Sequence, residues 1–143
     1  MRFETSIDIA ASAEHVFGVY TDVERWPEWT ESVTSVERLD EGPLRVGSRV
    51  RIKQPRLPVA VWEVTDLVPD RSFTWVARGP GIVTTASHVI TPADQNGQVT
   101  VTASLDQAGL LGPLLGLLTK RMTNHYLDTE VRGLKARCES QGG

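Results

Sequence analysis

Over residues 2–10 apolar and polar positions alternate, with Phe3, Thr5, Ile7 and Ile9 on one side and Glu4, Ser6 and Asp8 on the other. Successive side chains of a strand point to opposite faces, so this pattern predicts a strand with one buried face. The spacing then changes. Ser12 stands where a cap belongs, before a short helix that buries Val16, Phe17 and Tyr20. A second helical turn is predicted over residues 22–29, with Pro27 in its first turn. Trp26 and Trp29 lie on one side of it and read as a plug for one end of the core.

From residue 32 to 107 the pattern stays β. Strands are predicted at 32–40, 46–54, 59–68, 72–78, 82–91 and 98–106. Turn residues separate them: Glu41-Gly42-Pro43, the pair Pro55 and Pro58, Pro69-Asp70-Arg71, Gly79-Pro80-Gly81, and the hairpin signal Asn96-Gly97. Trp62, Val64, Phe73 and Trp75 make the 59–68/72–78 hairpin the most aromatic part of the sheet. In the last strand Val99, Val101, Ala103 and Leu105 alternate with Thr100, Thr102 and Ser104.

The chain ends in the longest helical pattern, residues 112–137. Pro113 fits a first helical position, where its missing N–H has no partner to lose. Leu114, Leu118, Met122, Leu127, Val131, Leu134 and Cys138 follow at helical steps, predicting one apolar stripe. Lys120, Glu130, Lys135 and Arg137 are expected on the solvent side. The element order therefore predicts an α+β protein forming one domain over residues 1–143: a bent antiparallel sheet of about seven strands around a long C-terminal helix, with two short helices after the first strand.

Composition changes this picture little. A chain of 143 residues, 40% hydrophobic and 23% charged, has the size and balance of a soluble globular protein. Its net charge of -3 argues against a nucleic-acid partner. Arg45, Arg49, Arg51, Lys53 and Arg56 cluster, but they alternate with Val50 and Ile52 and read as the wet face of a strand. The lone cysteine, Cys138, excludes an internal disulfide and lies on the apolar stripe as a buried filler. The N-terminus lacks the apolar region of a signal peptide, and the apolar run 108–118 is too short to span a bilayer. Its Gly112–Gly116 pair therefore carries little meaning as a membrane motif. A cytoplasmic protein without integral membrane association is expected, as a monomer or weak homodimer.

Candidate chemistry is sparse. His15, His88 and His125 lack metal-ligand spacing, and the chain has no nucleophile elbow, phosphate loop or dinucleotide fingerprint. No cofactor is expected. A bent sheet closed by one helix can leave an apolar space, the usual form of a small-molecule site. Its expected lining is Trp62, Val64, Phe73, Trp75, Ala86, His88, Ile90, Val101, Leu118, Met122 and Tyr126. His88 reads either as a core histidine bonded to a neighbouring strand or as the group that orients a carbonyl or moves a proton, with Tyr126 as hydrogen-bonding partner. Arg78 is expected at the rim.

The order of elements is similar to the helix-grip fold of the START-like superfamily, which includes lipid-transfer domains, the birch-pollen allergen family and polyketide aromatase/cyclases. The stretch IAASAEHVFGVYTDVERWPEW, then SVTSVE and VWEVTDLVPDRSFTW, resembles the bacterial polyketide cyclase/dehydrase branch across essentially the whole chain. That resemblance implies binding of a hydrophobic, aromatic or polyketide-like molecule. As alternatives it admits a cyclase or dehydratase, or a stress-response or co-chaperone-like module that binds a protein.

Overall fold

The computed structural model describes residues 1–93 and 97–141. The elements are β1 (Arg2–Ile9), α1 (Ala13–Thr21), a 3-10 turn (Val23–Glu28), β2 (Ser35–Arg38), β3 (Arg49–Lys53), β4 (Ala60–Val68), β5 (Ser72–Gly79), β6 (Ile82–Pro92), β7 (Val99–Ala108), α2 (Gly112–Leu118) and α3 (Lys120–Ser140). The seven strands form one antiparallel sheet in the order β1-β7-β6-β5-β4-β3-β2. Strands β2 to β7 run as a meander, while β1 pairs with β7 at the far edge. The short helices therefore carry the chain from one edge of the sheet to the other.

The register aligns the inward residues in rows across the strands. One row runs Phe3, Leu105, Ala86, Trp75 and Val64. The next runs Thr5, Ala103, His88, Phe73 and Leu67. Between those rows the β4–β5 register shifts at Val64/Asp66, a bulge of the kind that bends a strand. Ser12 caps α1 as expected, its side chain accepting from the His15 N–H at 3.1 Å. Trp26 is buried and donates its Nε1–H to the Tyr20 carbonyl at 2.9 Å, whereas Trp29 is only half-buried. Cys138 is free and fully buried, and burial pushes its thiol up to about 11.

Several expected boundaries shorten. The 32–40 strand is only Ser35–Arg38, and the 46–54 strand is Arg49–Lys53. Asn96 of the expected Asn96-Gly97 hairpin signal lies outside the described residues.

The largest correction concerns the C-terminal helix. The single helix expected over 112–137 is two helices, separated at Thr119. Pro113 does occupy the first turn, and Leu127, Val131, Leu134 and Cys138 are buried along α3. In α2, however, the buried residues are Gly112 and Gly116, while Leu114 and Leu118 are 56% and 72% exposed. The physical reason is close approach. A Cβ at Gly112 would stand 2.7 Å from the Gln107 carbonyl, and one at Gly116 would stand 2.9 Å from the Met1 side chain. The small-residue pair docks α2 onto the end of β7, and that choice of face turns Leu114 and Leu118 outward. Among the described residues no helix is long and apolar enough to cross a membrane.

Candidate functional site

Between the concave sheet and α3 lies a cavity of about 920 Å³. On the helix side its wall is Thr119, between the two helices, and Met122, Thr123, Tyr126, Leu127 and Glu130, one face of α3 by its steps of three and four. On the sheet side stand Trp62, Trp75, Ala86 and His88, with Trp26 from the 3-10 turn closing the space. Its mouth is bordered by Leu57, Pro58 and Val59 of the β3–β4 loop, by Arg78 to Pro80, and by Leu115 of α2.

The expected lining divides into three groups. Trp62, Trp75, Ala86, His88, Met122 and Tyr126 border the cavity. Val64, Phe73, Ile90 and Val101 are buried in the core behind it, sealed by neighbouring side chains. Leu118 is the misplaced one: it sits on the outer face of α2, and its neighbour Leu115 takes the position toward the space. The sequence pattern assigned the leucine stripe inward because periodicity alone does not reveal the close approach of Gly112 and Gly116. Arg78 is exposed at the rim, as expected.

His88 faces inward and is 4% exposed. Its ring stacks on Phe73 at 4.0 Å and meets Tyr20 and Trp75 edge-on at 4.9 and 5.5 Å. Nδ1 lies 3.0 Å from the Phe73 carbonyl. A carbonyl only accepts, so Nδ1 carries the proton and Nε2 is left as an acceptor. Burial lowers the His88 pKa to about 4, with the Phe73 carbonyl opposing the shift. Near neutral pH the side chain is a neutral, fixed acceptor rather than a proton donor. The Tyr126 hydroxyl donates to the Pro55 carbonyl, tying α3 to the β3–β4 loop at the mouth.

The pattern missed Glu130. Expected on the solvent side, it lies instead on the cavity wall and accepts a 2.5 Å hydrogen bond from the Tyr20 hydroxyl. Burial raises its carboxyl to about 7, a shift that the Tyr20 bond opposes. Tyr20, fully buried beside that carboxylate, is held well above the ordinary phenol range and stays protonated. A signal was present in the sequence: Glu130 follows Tyr126 by four residues and Leu127 by three, on the face already assigned to the cavity. Among the described residues no group of three His, Cys, Asp or Glu side chains gathers as metal ligands.

Solved structures share this architecture at low identity. A START superfamily protein from Mycobacterium smegmatis is 18% identical, with a TM-score of 0.77 and 98% of both chains covered. A Thermus thermophilus protein is 16% identical, with a TM-score of 0.79 over 100% of both chains. The di-domain ARO/CYC StfQ of the steffimycin biosynthetic pathway is 16% identical, with a TM-score of 0.77; 99% of this chain covers 52% of that one. At such identities the likeness establishes the fold, the START-like helix grip. No curated protein matches the chain. The family model described as polyketide cyclase / dehydrase and lipid transport matches residues 1–139, which take in the whole sheet, α2 and all but the last residue of α3. The chain belongs to that family.

Proposed function

We propose that the chain binds a hydrophobic, aromatic or polyketide-like small molecule in the cavity between the sheet and α3. Family and fold together mark it, more coarsely, as a hydrophobic-ligand-binding or polyketide-cyclase-like module. The observation that carries the finer reading is the space itself: about 920 Å³ bordered by Trp26, Trp62 and Trp75. Pockets of roughly 300–1,000 Å³ with apolar walls and a few polar groups are the usual hosts of small organic ligands. Flat indole faces suit a flat ligand, because offset and edge-on ring contacts add to the burial of apolar area.

The test is a titration of apolar aromatics followed by tryptophan emission and thermal melting. Emission is expected to shift and the melt to rise with ligand concentration, since a ligand that binds only the folded state stabilises it by mass action. Trp62→Leu is expected to weaken the response. A panel that moves neither signal sinks the small-molecule reading and favours a protein-binding module.

A second reading, a cyclase or dehydratase, has one observation in its favour. Glu130 borders the cavity and holds a proton that exchanges near pH 7, the range suited to a general acid or base. On this reading Glu130 supplies the proton transfer, while His88 and Tyr126 align the substrate. Turnover of a poly-β-ketone analogue is expected to fall by about a hundredfold or more in Glu130→Gln. Unchanged turnover in that variant removes Glu130 from the reaction.

A further inference from the structure

The polar content of the cavity is one-sided. Among the described residues Glu130 is the only carboxylate on the face of α3 that looks into the space, and the sheet contributes no buried cation to face it. The other charged residues on the border, Arg49, Glu63 and Arg78, are exposed to solvent. His88, the remaining basic side chain on the wall, is neutral and donates its Nδ1 proton to Phe73. An anionic ligand finds no buried partner among these residues. A plain hydrocarbon covers a half-buried carboxyl whose Oε2 is bonded to Tyr20 and which has no cation beside it.

The aromatic groups extend from that carboxyl. Tyr20, which holds Glu130, lies 5.6 Å from Trp26; Trp26 lies 5.4 Å from Trp75, and Trp75 lies 5.9 Å from Trp62. Three of these rings, Trp26, Trp75 and Trp62, border the cavity. A cation is attracted to the faces of such rings, tryptophan most of all, and a carboxylate completes its recognition.

We propose that the cavity selects apolar ligands carrying one protonated amine, with the ammonium paired to Glu130 and the apolar body against Trp26, Trp75 and Trp62. This deepens the small-molecule reading and rests on it. The amine supplies the missing positive charge, and Tyr20 keeps the carboxyl aimed by holding Oε2. Ligand and site then exclude water from an ion pair that solvent otherwise screens.

The experiment compares two probes of nearly equal shape, 2-naphthylmethylamine and 2-naphthylmethanol, titrated calorimetrically at pH 8. At that pH Glu130 is mostly ionised and the amine is protonated. The amine is expected to bind about tenfold tighter or more in the unsubstituted protein, the range of a charge-assisted contact. In Glu130→Gln, which keeps an acceptor for Tyr20, that preference is expected to fall below about threefold. Equal affinity for the two probes in the unsubstituted protein overturns the amine selectivity and leaves the apolar site standing. A preference that survives Glu130→Gln overturns the assignment to Glu130. If neither probe binds, the small-molecule reading falls and the amine selectivity falls with it.

Discussion

Helices α2 and α3 follow one another through a single run of amphipathic sequence, yet they meet the protein in opposite ways. Along α3, Leu127, Val131, Leu134 and Cys138 are buried against the sheet, and the adjoining face borders the cavity. Along α2, Leu114, Leu117 and Leu118 face solvent, while Gly112 and Gly116 touch the protein and Leu115 borders the cavity. The difference shows that periodicity predicts which residues share a side of a helix, but not which side packs. In α3 the apolar stripe meets a concave sheet with room for branched side chains. In α2 the partner is the end of β7, where backbone stands so near that a Cβ at Gly112 would lie 2.7 Å from the Gln107 carbonyl. Steric room outweighs hydrophobicity there, and the helix is interrupted at Thr119, whose φ -106° and ψ 10° depart from helical values.

The two helices are expected to differ most at Leu134 of α3, which is fully buried. Leu134→Asp is expected to destabilise the fold by about 4 kcal/mol or more, because it creates an unpaired charge in the core. A denaturant midpoint close to that of the parent protein sinks the assignment of α3's buried stripe.

Of the two helices, α3 brings the carboxyl of Glu130 to the cavity, opposite His88 of β6. Glu130 rises from its ordinary 4.5 to about 7 in the folded state, so the folded protein binds its proton more tightly and stability falls as pH rises through that window. His88 drops from 6.5 to about 4, so the unfolded chain binds that proton more tightly and stability rises with pH over the same interval. Each contribution is on the order of 3 kcal/mol and they oppose one another. Between pH 4.5 and 6.5 the parent protein is expected to show a nearly flat contribution from this pair. Glu130→Gln then uncovers a stability that climbs with pH, and His88→Gln uncovers one that declines. Chemical melts across that range check it; two variants sloping in the same direction refute the placement of one group.

Gly112→Ala tests the docking of α2. Overpacking against backbone is expected to cost about 2 kcal/mol and to loosen α2, seen as faster amide exchange confined to that helix. Exchange that stays as slow as in the parent protein rejects the close-approach account. The smallest effect is expected at Leu118, where an Asp on the exposed face of α2 should stay within about 0.5 kcal/mol of the parent. A loss near that of Leu134→Asp would show that the two helices bury their leucines alike.

Much of this protein is set by local pattern. The alternation in β1, β5, β6 and β7 orients each inward residue correctly, His88 between Ala86 and Ile90 included, because a strand has only two faces and one must leave water. The helical steps identify α3, and the turn residues separate the strands, because proline fixes its own φ and glycine admits the positive φ that Gly42, Gly81 and Gly97 adopt, whatever surrounds them. What tertiary structure alone decided are the close approaches. The approach of Gly112 to Gln107 and of Gly116 to Met1 turns Leu118 outward. The meeting of α1 with α3 brings Tyr20 to Glu130, 110 positions apart, and sets an expected surface carboxylate on the cavity wall. Sequence spacing encodes the direction of a side chain along its own element. How near a second element comes, and so whether that side chain meets water, backbone or a phenol, depends on the packing of the whole sheet against its helices.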